Sequence, residues 1–193
     1  LLAQAVRASE IFLDTKYGPE VLDEVFAKIK GQKENIVLIG MPSSGKSTIG
    51  AKVAKELGRE FIDTDALIER RTGMTPSEII TSKGEAEFRR LEREVVNEVS
   101  AKTRIVIATG GGTVLNSENV RSLKQNGRIY FLDRPLKQLT PTGDRPLTDS
   151  PEALAKRYSE RHTIYEESAD VIIDASGTLD SVLRAILKNT RRF

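Results

Sequence analysis

The sequence has 193 residues, with 30 Lys and Arg against 28 Asp and Glu, a formal charge of +2, one histidine and no cysteine. That length suits one medium domain plus an appendage. The missing cysteines exclude disulfides, thiolate zinc sites and cysteine nucleophiles, and the single His162 excludes multi-histidine metal sites. The near-balanced charge is no footprint of a nucleic-acid binder, and no apolar run approaches the ~20 residues that span a bilayer. Neither nucleic acid nor membrane is expected as a partner, and a cytoplasmic location is expected. The chain begins at Leu1 rather than Met, so a cut from something longer is expected.

Residues 1–30 read as two helical stretches separated by Tyr17-Gly18-Pro19. Val21, Leu22, Val25, Phe26 and Ile29 recur at helical spacing in the second. Gly31 to Asn35 is a polar connector, which puts the domain boundary between residues 34 and 35. From Ile36 the pattern alternates strand and helix. Ile36–Ile39 is a short buried strand ending at Gly40, and Ser47–Leu57 a helix stopped by Gly58. Glu60–Ile62 is a second strand, followed by helices over Ala66–Arg71, Pro76–Ser82 and Glu85–Ala101. Arg104–Ala108 is a third strand, ending in three glycines, and Ser117–Gln125 a helix. Arg128–Leu132 is a fourth strand, Leu139–Ser150 a polar loop, Pro151–Ser168 a helix, Asp170–Ile173 a fifth strand and Leu179–Lys188 a last helix. Short apolar strands alternating with helices predict an α/β fold: a five-stranded parallel sheet flanked by helices. Ligands of such sheets bind at the carboxyl ends of the strands.

Chemistry gathers at those ends. Gly40-Met41-Pro42-Ser43-Ser44-Gly45-Lys46-Ser47 fits G-x-x-x-x-G-K-[ST] between a strand and a helix. Glycines let successive N–H groups turn inward, and these donors and the helix N-terminus receive phosphates. Lys46 neutralises charge between the β- and γ-phosphates of a nucleotide, and Ser47 offers a hydroxyl to Mg²⁺. The motif alone says nucleotide, not kinase. Asp63 and Asp65 close the second strand at i and i+2, where extended chain points them the same way. One can serve Mg²⁺ and accept a proton, the other an acceptor's hydroxyls; helix capping is the bland alternative. Arg89 lies on a highly charged helix, where arginines are mostly solvated or in i,i+4 pairs. Gly110-Gly111-Gly112 lose much chain entropy on ordering, which argues for close approach of the backbone to something. Arg145 in the polar loop can act as an arginine finger or stay exposed. Arg161 and His162 read as ordinary helix-surface residues.

Taken in order, these features resemble the shikimate kinase family over about residues 35 to 190. They are the phosphate loop Gly40–Ser47, Asp63-x-Asp65, Phe88-Arg89-x-x-Glu92, Gly110–Gly112, Arg145-Pro146-Leu147 and Arg161-x-x-x-Tyr165. The resemblance implies a P-loop NTPase fold of the nucleoside-monophosphate-kinase type and transfer of the γ-phosphoryl of ATP to shikimate, with Mg²⁺. It implies that Gly40, Ser43, Ser44, Gly45, Lys46, Ser47 and Thr48 hold ATP phosphates and that Ser47 and Asp63 serve the metal. Lys46, Asp63 and Arg145 are then catalytic, Asp63 as base or orienter of the attacking hydroxyl and Arg145 as a lid residue on phosphate charge. Asp65 binds substrate hydroxyls, Arg89 and Arg161 clamp the carboxylate, and Gly110, Gly111 and Gly112 give it backbone contacts.

The sequence departs from the family at several points. Ser43 stands where glycine is common, and Thr163 where proline is. The stretch from Leu132 to Arg145 is short, and neither it nor Asp174–Gly177 offers a basic adenine contact. Leu1–Ala8 also resembles the end of shikimate dehydrogenase, with Gln4 matching a glutamine on that family's substrate side. Residues 1–34 are therefore expected to be the tail of an upstream dehydrogenase fused to the kinase. Another small-molecule kinase of gluconate type, or a non-catalytic ATP-binding module, are the alternatives.

Overall fold

In the computed structural model, residues 2–140 and 150–190 are described, the side chains of residues 27, 28 and 30 excepted. Two helices come first, α1 (Leu2–Leu13) and α2 (Pro19–Lys33), followed by β1 (Asn35–Ile39) and α3 (Lys46–Leu57). Next come β2 (Glu60–Asp63), α4 (Thr64–Thr72), α5 (Pro76–Lys83), α6 (Glu85–Ala101) and β3 (Ile105–Ala108). The chain continues with α7 (Ser117–Asn126), β4 (Gly127–Asp133), α8 (Pro151–Ser168), β5 (Val171–Asp174) and α9 (Leu179–Thr190). The five strands form one sheet in the order β2-β3-β1-β4-β5, every pair parallel.

β1 is central and buried along its whole length. Its side chains alternate between two cores, as the strand's period of two requires. Val37 and Ile39 join Ile107, Ile129 and Phe131 under α4 to α8. Ile36 and Leu38 join Val106, Tyr130, Leu132 and Ile173 under α3 and α9. A parallel sheet covered on both faces explains why its strands read as unbroken apolar runs. Each such buried Ile, Leu or Val stabilises the fold by about 1.5–3 kcal/mol relative to exposure, before chain entropy is subtracted.

The amino ends of the strands are held by polar side chains. Asn35, 1 % exposed, donates to the Lys102 carbonyl at 2.7 Å and accepts from the Ile105 N–H at 3.0 Å. Arg59 donates to the carbonyls of Glu34 at 2.7 Å and Gly31 at 3.2 Å, tying the end of α2 to the sheet. Arg104 has φ +63° and donates its N–H to Lys33 at 2.7 Å. That left-handed conformation starts β3 one residue later than the apolar pattern predicts. None of α1 is buried, and Ile11, Phe12, Leu13 and Phe26 are exposed.

A larger difference from expectation lies after β2. α4 begins at Thr64, so Asp65 sits in a helical first turn and not on extended chain. The two aspartates are therefore held in different places for different reasons.

Candidate active site

The phosphate loop leaves β1 through Gly40 at φ +146° and enters α3 through Gly45 at φ +92°. A Cβ at Gly40 would lie 2.9 Å from the Leu132 carbonyl of β4, so sterics and conformation both require glycine there. Ser43 has φ +63°, a region where a non-glycine residue is held at a cost of about 1–2 kcal/mol. Its hydroxyl donates to the Thr140 carbonyl at 2.9 Å, which helps fix it. Ser44 is fully buried beneath the loop. The Lys46 ammonium is buried and donates to the carbonyls of Gly40 at 2.9 Å and Met41 at 2.8 Å. It is thus curled over the mouth of its own loop. Ser47 and Thr48 occupy the first turn of α3 and are exposed.

Asp63 joins this loop to the rest of the site. Its Oδ1 accepts from the N–H groups of Asp65 at 3.0 Å and Ala66 at 3.2 Å, capping α4. Its Oδ2 accepts from the Ser47 hydroxyl at 2.6 Å. The cap that the sequence offered is made by one oxygen alone, and the other is turned to Ser47 of the phosphate loop. The cap fixes the plane of the carboxylate, so the second oxygen faces the loop without a rotamer search. An oxygen pair of hydroxyl and carboxylate suits Mg²⁺, which takes one or two protein ligands and draws the rest from phosphates and water. Among the described residues no cluster of three or more acidic, His or Cys side chains offers another cage.

Beyond Asp63 lies an open cleft, lined by Pro42, Asp65, Phe88, Arg89, Glu92, Gly110, Gly111, Gly112, Arg157 and Arg161 among others. Arg89 is aimed into it from α6 by two carboxylates. Its Nη1 donates to Glu92 at 2.9 Å and its Nη2 to Glu85 at 3.0 Å. Glu92 is only 1 % exposed and also accepts from the Thr113 hydroxyl at 2.8 Å. Burial disfavours the charge on Arg89, but Glu92 and Glu85 outweigh it and raise its pKa. Arg161 of α8 donates to the Gly111 carbonyl at 3.3 Å, and the Tyr165 hydroxyl, one turn on, donates to the same oxygen. The Arg-x-x-x-Tyr spacing puts both side chains on one face, and that face grips the glycine loop.

The triple glycine has a steric explanation. None of the three has positive φ, so conformation does not demand glycine. Space does. A Cβ at Gly110 would lie 2.6 Å from Asp65 Oδ1, one at Gly111 3.0 Å from Pro42 Cδ, and one at Gly112 2.5 Å from both Nη atoms of Arg89. Each glycine makes room for a different part of the site. The Gly110 N–H also donates to the buried Thr64 hydroxyl at 3.1 Å. The phosphate loop and the cleft thus meet at Pro42 and Gly111.

Residues far apart in sequence, Asp65, Arg89, Gly110–Gly112 and Arg161, line one cavity, beside the phosphate loop with Lys46 and Ser47 and the end of β2 with Asp63. Arg145, with Pro146 and Leu147, lies outside the described residues. His162 pairs with Asp133 at 3.1 Å and Glu166 at 3.4 Å and packs on Phe131 and Tyr158, a structural role that agrees with its sequence reading. Arg157 went unremarked in the sequence, although its place four residues before Arg161 puts it on the same helical face. Past the carboxyl ends of β4 and β5, Arg134 donates to the Ala175 carbonyl at 3.1 Å, joining the two strand ends. No described helix is long and apolar enough to cross a membrane.

Residues 42–191 match the family model described as Shikimate kinase. A shikimate kinase of Clostridium botulinum is 42% identical over 160 residues, which cover 81% of this chain and 96% of that one. One from Thermodesulfovibrio yellowstonii is 41% identical over 166 residues, 82% of this chain and 96% of its own. Among solved structures, the shikimate kinase from Acinetobacter baumannii in complex with shikimate superposes with a TM-score of 0.75 at 35% identity, covering 86% of this chain and 99% of that one. That of Aquifex aeolicus gives 0.71 at 35% identity, covering 80% and 94%.

Proposed function

The chain belongs to the shikimate kinase family, an ATP-dependent phosphotransferase of the shikimate pathway, and we propose that it phosphorylates shikimate through the residues just described, with Mg²⁺ as cofactor. The observation that carries these assignments is the divided carboxylate of Asp63. One oxygen is locked by two backbone N–H groups, and the other lies 2.6 Å from Ser47. Asp63 is thereby fixed between the phosphate loop and the cleft where an acceptor would lie.

The residues divide the work as follows. The loop N–H groups and the amino end of α3 receive the ATP phosphates, with Gly40, Ser43, Ser44, Gly45, Ser47 and Thr48 forming the cradle. Lys46 exchanges its carbonyl partners for β,γ-phosphate oxygens. Mg²⁺, held by Ser47 and Asp63, supplies neutralisation of phosphate charge. Asp63 orients the attacking hydroxyl and accepts its proton as the new P–O bond forms and the bond to ADP breaks. Asp65 accepts from ring hydroxyls, while Arg89 and Arg161 bind the carboxylate, for which planar guanidinium groups are suited. Gly110–Gly112 bring backbone close to the ring. Arg145 adds positive charge at the transferring phosphoryl. Because such a transfer needs mainly positioning and electrostatics, this set is chemically sufficient.

The test is ADP release from the purified chain with ATP and Mg²⁺, with and without shikimate, gluconate and a nucleoside monophosphate. Release that needs shikimate and is lost in Asp63→Ala, with ATP binding kept, is the expected result. Full activity in Asp63→Ala would overturn its role. We also infer a cytoplasmic protein and an upstream dehydrogenase unit ending in residues 1–34. The exposed apolar side chains Ile11, Phe12, Leu13 and Phe26 support the latter, and the coding sequence upstream of Leu1 tests it.

A further inference from the structure

We propose that Arg157 is a third carboxylate-binding guanidinium of the acceptor cleft, supplying with Arg161 the uncompensated charge that selects an anionic acceptor; this rests on the acceptor site assigned above. Arg157 and Arg161 stand one helical turn apart on α8, and both line the cleft with Arg89. The three are not equivalent. Arg89 is held by Glu92 at 2.9 Å and Glu85 at 3.0 Å, so an incoming carboxylate meets a cation already neutralised by two acids. Among the described residues Arg161 donates only to the Gly111 carbonyl, at 3.3 Å. Arg157 is partly buried and has neither a hydrogen bond nor an ion pair among the described residues.

A partly desolvated guanidinium beside two others and with no acid bound to it is electrostatically unfavourable on its own. Burial first, and then the charge of Arg161, lower its pKa, outweighing the partial offset from Glu160 and Glu85, neither of which is bonded to it; it stays protonated. An anion in the cleft relieves that repulsion. Arg89, fixed by its acids, then serves geometry, while Arg157 and Arg161 supply net charge. The five donors of Arg157 are all available for this, and a carboxylate can accept from both arginines at once.

The experiment measures kcat and KM for shikimate and for its methyl ester in the wild type, Arg157→Leu, Arg157→Lys and Arg161→Leu, with the KM for ATP alongside. In Arg157→Leu, KM for shikimate is expected to rise about tenfold or more, with kcat within about threefold and ATP unaffected. With the ester, wild type and Arg157→Leu should agree within about twofold, because the charge that Arg157 reads is gone. Arg157→Lys should recover part of the loss. An unchanged KM for shikimate, or an equal rise for the ester, overturns the proposal in favour of packing alone. If Arg161→Leu also leaves shikimate unaffected, the acceptor site itself is wrongly assigned; if Arg161→Leu alone raises KM, only Arg157 falls. Should Arg157→Leu not fold, Arg157→Gln carries the same comparison.

Discussion

Replacing Gly112 by alanine separates space from backbone conformation. Gly112 has φ −98° and ψ −3°, which alanine adopts freely. Its added methyl would lie 2.5 Å from both Nη atoms of Arg89 and 2.8 Å from Cζ. Ordinary contact needs about 3.5 Å, so the guanidinium must retreat by roughly 1 Å. It then cannot keep both the 2.9 Å bond to Glu92 and the 3.0 Å bond to Glu85. The group displaced is the far end of a flexible side chain, so the expected stability loss is about 1 kcal/mol or less. For a chain of this size that lowers Tm by no more than about 4 °C. Catalysis should suffer more, because a misplacement of ~1 Å can cost 10²-fold. The assay is coupled ADP release against varied shikimate and varied ATP, with a thermal melt on the same sample. The expected result is a fall of about 10²-fold in kcat/KM for shikimate and an unchanged KM for ATP. Gly111→Ala, whose methyl would meet Pro42 of the phosphate loop at 3.0 Å, should instead weaken ATP. A Gly112→Ala enzyme within about threefold of wild type for shikimate would refute the idea that this glycine makes room for the clamp.

Two further outcomes follow from the structure. Glu92→Gln removes the charge of a carboxylate that is 1 % exposed and leaves Arg89 only the exposed Glu85. The expected loss is about 3 kcal/mol, the low end for a broken buried pair because Arg89 keeps one partner, and chemical denaturation would measure it; an unchanged midpoint would mean the pair is not structural. Arg104→Gly places glycine at φ +63° and removes a like charge near Arg59. It should raise stability by about 0.5–1 kcal/mol with kinetics unchanged, and a lower Tm would show that the Arg104 side chain matters more than its backbone.

The sheet was legible because each strand is an apolar run bounded by glycine or charged residues, and no competing pattern interrupts it. Gly58 stops α3 in a left-handed conformation, which is why that end is legible from the sequence; Gly73 does the same for α4. The start of α4 was misjudged because a cap is set by where a carboxylate finds free N–H groups. Asp63 reaches back to Asp65 and Ala66 and draws Thr64 and Asp65 into the helix, which period alone does not reveal. Arg89 and Arg161 gained their roles from resemblance, since a charged helix has arginines on every face. Their selection comes from packing: Glu92 is buried against Thr113, and the Gly111 carbonyl binds the α8 face. Arg157 was missed for the same reason. No motif marks it, and only the turn of α8 brings it to the cleft.

The hold of Arg59 on Gly31 and Glu34 fixes where the preceding helices are mounted. The phosphate loop, Asp63 and the triple glycine all sit at the carboxyl ends of the strands, whereas Glu34 lies at the amino end of β1. A strand of five residues at about 3.3 Å each sets a distance on the order of 17 Å between the two poles. Anything carried on residues 1–34 is therefore tethered at the back of the enzyme. The attachment point itself lies away from the mouth of the cleft, and a small molecule released by a neighbour tethered there, as proposed above, would have to diffuse around the sheet to reach it. The benefit of such a tether would be raised local concentration, not a sealed passage, and trimming it should leave the kinetics of the phosphoryl transfer as they are.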